Sequence, residues 1–311
     1  MAVKASPGFP QQSGILITEV WSGKILIKFY QATVLAAISN TDYEGEISKQ
    51  GDVVHIRTRP DIAIKKYQKG QGLDIQHPEP NLVDLTIDRA NYWNAVIDDI
   101  DKFQADINYA DDWAKDAGEQ MKIAIDREVL GEIYADADAK NQGGTAGKIS
   151  GNINMGDFGS PLTLGNGSGD VDPIQFMTNV GQVLDEQDVP ESDRWIVIPA
   201  WLANRLKNSD LKQAYMTGDD TSPIRNGMLG TLDRMTVYKS NLLSTVTDGG
   251  NQCTHIIGGH KSALSFASQL TKNETLRAES TFGDLMRGLQ VYGFDVLKGE
   301  ALVHAYAKAG S

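Results

Sequence analysis

Residues 81–101 read NLVDLTIDRANYWNAVIDDID, and the rest of the chain is organised around this stretch. Val83, Leu85 and Ile87 alternate with Asp84, Thr86 and Asp88, the period of two that a pleated strand requires. VVHIRT at 53–58 and DIAIKKY at 61–67 show the same period. Between the outer strands lies KKYQKGQGLDIQHPEPN, where Gly70, Gly72, Pro78 and Pro80 break regular structure. Residues 51–99 therefore read as a long two-stranded excursion. A lone hairpin of that length is marginal in water, because no second layer covers its apolar face. It needs a partner surface.

Downstream, residues 104–135 turn helical, with Ile107, Ala110, Ala114, Ala117, Met121, Ile125 and Val129 recurring at helical steps. Acids crowd the first half and Lys122 and Arg127 follow, as a helix dipole favours. The run DDIDKFQADINYADDW reads as a solvated face, and the narrow apolar stripe leaves most of the rod facing water or another chain. Upstream, residues 24–39 (KILIKFYQATVLAAIS) predict a short helix, preceded by an extended arm. Residues 141–170 hold nine glycines and few long apolar side chains, which predicts a loop or loose hairpin at a domain boundary. Asp172 and Pro173 then open a helix to about Glu186. RWIVIP is a buried strand, PAWLANRLKN a helix, MTVYKSNLL and THIIGG strands, and HKSALSFASQL a short helix or turn. This alternation makes 172–265 an α/β lobe. GLQVYGFDVL and EALVHAYA supply two returning strands.

At 311 residues the chain exceeds what one core usually serves, which predicts two lobes or long excursions. Asp and Glu number 41 against 29 Lys and Arg, a formal net charge of -12, which argues against direct nucleic-acid binding. The single Cys253 excludes an intrachain disulfide and suits a reducing compartment. Residues 1–14 lack the apolar core of a signal peptide, and the longest apolar run, 34–38, is too short to span a bilayer.

No constellation carries chemistry. GGTAGKI at 143–149 resembles a phosphate loop only loosely: the glycine spacing is wrong and Ile149 stands where Ser or Thr is needed. Asp136, Asp138 and Asn141 miss the calcium-loop register. His55, His77, His255, His260 and His304 are too scattered for a metal motif, and His55 and His304 fall inside apparent strands, where a lone histidine usually packs. No catalytic, cofactor or metal site is assigned. The one local basic patch is Lys65, Lys66 and Lys69, with Tyr67 among them, at the hairpin tip. A positive tip on a negative body favours docking between chains.

The order of these elements resembles the major capsid protein of tailed double-stranded DNA bacteriophages, with the Hong Kong 97 fold. The stretches that carry the resemblance are 82–101, RWIVIPAWLANRLKN, GMLGTLDRMTVYKSNLL and GLQVYGFDVLKGEALVHAYA, in that order over nearly the whole chain. It implies an α+β fold with an N-arm at 1–42, an E-loop hairpin at 43–98, a peripheral domain at 99–171 and 266–311 with a spine helix at about 104–135, and an α/β axial domain at 172–265. It implies hexamers and pentamers of an icosahedral shell, assembled in the bacterial host cytoplasm, with each E-loop lying over a neighbour through Lys65, Lys66, Tyr67 and Lys69. A separate scaffolding protein, a portal and decoration proteins are the implied partners. The alternatives are an encapsulin-type compartment, which shares the fold, and a two-lobed soluble hydrolase with carboxylates in its cleft.

Overall fold

The computed structural model of the chain describes residues 30–31, 33–42, 53–57, 60, 62–73, 75–80, 82–100, 109–208, 230–278 and 282–310. The expected excursion is rooted in two short strands. β1 (Val53–Arg57) and β2 (Leu82–Thr86) pair antiparallel, from Val53↔Thr86 to Arg57↔Leu82. As the alternation requires, Leu85 and Ile87 are buried while Asp84, Thr86 and Asp88 are exposed. The chain does not go on as one strand. Beyond Asp88 it enters β3 (Arg89–Asp98), which pairs with β11 (Gly283–Val296), and β11 in turn pairs with β10 (Leu264–Arg277) to make a three-stranded antiparallel sheet. The hairpin root is fastened to that sheet by a small core of Leu85, Ile87 and Ala267, with Val54, Ile56 and Val291 around it. Gly293 permits the approach, since a Cβ there would lie 2.1 Å from the Thr86 carbonyl oxygen.

The second sheet has seven strands. β4 (Leu162–Leu164), β12 (Leu302–Ala309), β9 (Asn251–His260), β5 (Arg194–Ile198), β7 (Met235–Lys239) and β6 (Thr231–Leu232) lie in that spatial order, and β8 (Thr245–Asp248) adds to β9. β5 is buried at every residue, as an unbroken apolar run predicts for an interior strand. The helix at Pro173–Glu186 packs Phe176, Met177, Val180, Val183 and Leu184 into the main core, and the helix at Ala200–Asn208 adds Leu202, Ala203 and Leu206. Pro173 starts the first turn, and Asp172 holds the extended N-cap conformation without a side-chain capping bond. The two returning strands part company: GLQVYGFDVL lies in β11, whereas EALVHAYA leads into β12 and pairs with β9.

The long helix, α2, spans Tyr109–Glu132 and runs on into a 3-10 turn at Ile133–Asp136. Its 24 residues give about 36 Å of rod; the expected start at 104–108 lies outside the described residues. Burial is confined to its second half, at Ile123, Ile125, Asp126, Val129 and Leu130, while no residue from 112 to 120 is buried.

Four expectations are corrected. The helix over 24–39 is a single turn, α1 (Leu35–Ile38), among the described residues: Tyr30, Gln31 and Thr33 lie outside it, and its apolar side chains are there to anchor the chain, not to extend a helix. DIAIKKY is no strand. Its described residues, 62–67, join no ladder, since among the described residues the apolar alternation finds no second layer. HKSALSFASQL is a turn followed by the start of β10, because Leu264 to Ala267 pair in register with Val296 to Gly293. The glycine-rich stretch is packed, not loose: Ala146, Met155 and Leu164 are fully buried and β4 joins the sheet parallel to β12. Ile153, Met155, Leu162 and Leu164 reach the core while Ile149 and Phe158 stay exposed, and Gly147, Gly151, Gly156 and Gly159 among them take positive φ.

Candidate functional site

Between β1 and β2 the chain leaves the body of the protein. Every described residue from 62 to 80 is exposed, and these include Ile64 at 93%, Leu73 and Ile75 at 82% each, Tyr67 at 66% and Ile62 at 63%. The segment is nevertheless shaped by its own hydrogen bonds. The Gln76 carboxamide donates from Nε2 to the Ala63 carbonyl at 2.7 Å and accepts the Ala63 N–H at 3.0 Å, so a side chain replaces the missing ladder partner. At the tip the Gln71 N–H donates to the Gln68 carbonyl at 3.0 Å, closing a turn through Gly70 at φ +89. Lys65, Lys66, Tyr67 and Lys69 are all exposed beside this turn. Ile64, Tyr67, Leu73 and Gln76 border a shallow cleft of about 250 Å³ between the two arms. The structure thus places the expected basic residues together and adds four exposed aliphatic side chains: Ile62 and Ile64, signalled by the alternation of DIAIKKY, and Leu73 and Ile75, which fall in the stretch broken by glycine and proline and carried no such signal.

The root is held by charge as well as by packing. His55 Nδ1 lies 2.6 Å from Asp84 Oδ1 across the β1–β2 ladder. Arg89, the first residue of β3, reaches Glu128 at 2.5 Å and Glu132 at 2.6 Å on α2, with its guanidinium 4.4 Å over the Phe294 ring of β11. The Arg89 fork holds the Glu132 carboxyl below its usual range. The Tyr292 hydroxyl donates to Glu128 and accepts from Asn91 Nδ2 at 3.0 Å; burial first, and then Glu128, push its pKa up. One node therefore joins hairpin, long helix and sheet. Asp126, also on α2, is 3% exposed and accepts the Val34 and Leu35 N–H groups at 2.5 and 3.2 Å, capping α1 from another element. Charge pattern alone does not reveal which acids of a helix turn inward.

The glycine-rich stretch that loosely resembled a phosphate loop is occupied by the protein's own side chain. The amides of Ile149 and Ser150, which a phosphate would need, donate to Glu186 Oε2 at 2.8 and 2.9 Å, so the nest is already filled by a carboxylate. Those bonds hold Glu186 down to about 2. Among the described residues no group of three or more His, Cys, Asp or Glu side chains is placed to hold a metal ion, and no helix is long and apolar enough to cross a membrane.

Comparison with known proteins agrees with this geometry. A family model described as phage capsid protein matches residues 89–305, from the first residue of β3 into β12. A solved chain from Mycobacterium phage Che8 is similar over 93% of this chain and 96% of its own, with 26% identity and a TM-score of 0.72. The capsid structure of cyanophage P-SCSP1u covers 95% and 94% at 16% identity and a TM-score of 0.71, and the capsid of Ralstonia phage GP4 covers 96% and 99% at 10% identity and 0.67; these two share the fold. No curated protein sequence matches. The chain belongs to the phage capsid protein family. It is a structural subunit of the capsid shell, a virion component that assembles with many other subunits.

Proposed function

We propose that the chain is the major coat subunit of an icosahedral shell of the Hong Kong 97 type, built from hexamers and pentamers around a double-stranded DNA genome. In this reading residues 1–42 are the N-arm, 43–98 the E-loop, 99–171 and 266–311 the peripheral domain with its spine helix, and 172–265 the axial domain. Lys65, Lys66, Tyr67 and Lys69, together with Ile62, Ile64, Leu73 and Ile75, meet a neighbouring subunit. Scaffolding, portal and decoration proteins are its further partners, and assembly takes place in the host cytoplasm.

The observation that supports this reading is the projection itself. A segment of nearly twenty residues orders its backbone at a cost of about 1–2 kcal/mol per residue, yet every described side chain in it from 62 to 80 is exposed. Contacts inside one subunit do not offset that cost. A neighbour's surface does, and symmetry repeats the gain at every subunit. The three lysines add steering toward bodies whose net charge is negative. The test is deletion of residues 66–79 with a short Gly linker. The expected product is a folded subunit, with the thermal transition of the parent, that forms no closed shells by negative-stain imaging. Shells of normal diameter from the deleted chain would refute the role of the projection.

A further inference from the structure

We propose that His255 and His304 form an acid-operated latch between the end of the long helix and the seven-stranded sheet. The two imidazoles lie on neighbouring strands, β9 and β12, with His255 Nδ1 2.9 Å from His304 Nε2. Such a contact needs one donor and one acceptor, and the surroundings say which is which. The Gln142 Nε2 donates to the Ala137 carbonyl at 2.9 Å, which turns its Oε1 toward His304 Nδ1 at 3.3 Å. Nδ1 of His304 therefore carries the proton, its Nε2 accepts, and His255 Nδ1–H donates. A first added proton goes to His255 Nε2 and leaves the bond intact. A second must go to His304 Nε2, where it meets the His255 N–H head-on, and the bond becomes a repulsion between two cations.

Every element packed on the pair ties it to something else. Tyr134, in the 3-10 turn that ends the long helix, stacks on His255 at 3.9 Å and lies 5.1 Å from His304. Tyr306 of β12 lies 4.9 Å from His255, and its hydroxyl reaches Asp248 of β8 at 3.4 Å. Cys253 of β9 sits beside Tyr306, and burial, followed by Cys253 and Asp248, pushes the Tyr306 phenol up, so it stays neutral. Gln142 belongs to the packed glycine-rich segment, and the His304 backbone N–H donates to the Asn141 carbonyl at 3.2 Å. Among the described residues no carboxylate sets the proton affinity of either histidine; burial lowers both, and His255 lowers His304 further, to about 4 from 6.5.

The sign follows. The folded state binds the His304 proton less tightly than the unfolded chain, so the latch is whole above about pH 6.5. It weakens as pH falls from there through about 4, by up to roughly three-hundred-fold in the local folded-to-open ratio. The test is backbone hydrogen exchange of the full-length protein by mass spectrometry, stepped from about pH 7 to about pH 4 and corrected for intrinsic rates. Peptides covering 133–142, 251–260 and 302–309 are expected to lose protection together, ahead of those covering 173–186. In the His304→Gln variant, whose amide accepts from His255 without titrating, that loss moves to lower pH. Loss at the same pH in both proteins would overturn the latch. Should His304→Gln fail to fold, ring titration of 13C-histidine in the parent decides: resistance of the His304 ring to protonation until protection is lost supports the latch, and titration of the His304 ring near 6.5 with protection intact overturns it.

Discussion

Ile64 offers the most direct measure of what the projection contributes. Its side chain is 93% exposed, so truncation to alanine removes almost nothing from the isolated subunit, within about 0.5 kcal/mol. If a neighbour covers it, the same truncation forfeits about 2 kcal/mol, at roughly 0.8 kcal/mol per methylene withdrawn from water. Each subunit donates one projection, so the loss enters once per subunit and raises the threshold concentration for assembly by about thirty-fold. The assay is light scattering across a dilution series under fixed salt, with the thermal transition of the dilute subunit as control. Leu130→Ala, at a position with no exposure, gives the opposite pattern, a fold destabilised by about 2–5 kcal/mol. An unchanged threshold for Ile64→Ala would refute the burial of this side chain in the shell.

Two further outcomes concern the subunit itself. Arg194 is 1% exposed, pairs with the exposed Asp185 at 2.7 Å and donates to the Val189 and Pro190 carbonyls; Arg194→Met leaves those carbonyls without their donor and is expected to cost about 1–3 kcal/mol in urea unfolding, and no measurable loss would contradict that role. Glu186 is held down to about 2 from 4.5 by its amide contacts, so its contribution is present above about pH 4.5 and is lost as pH falls toward 2. Because that carboxylate is largely open to solvent, Glu186→Gln is expected to cost only about 1 kcal/mol at neutral pH, visible as faster proteolysis at 147–151.

Much of the fold was legible locally. The alternation at 83–88 fixed which faces of the hairpin root are wet, the unbroken run at 194–198 marked an interior strand, and Asp172-Pro173 marked a helix start. What escaped depended on partners far away in sequence. HKSALSFASQL holds helix-like spacing, but its edge is taken by β11, and pairing overrides a weak local preference. Glu128 and Glu132 look like unpartnered surface acids in sequence, but Arg89 and Tyr292, some forty and one hundred and sixty residues away, tie them to β3 and β11.

By itself the sequence determined the alternation of strands and helices and the presence of an outstretched hairpin, because periodicity is a local property of the chain. Only the tertiary structure decided that Leu73 and Ile75 stay uncovered, that Ile153, Met155, Leu162 and Leu164 carry the glycine-rich segment into the core, and that His255 and His304 meet at 2.9 Å. Those are facts about which surfaces remain after long-range packing is complete, and no window of neighbouring residues contains them.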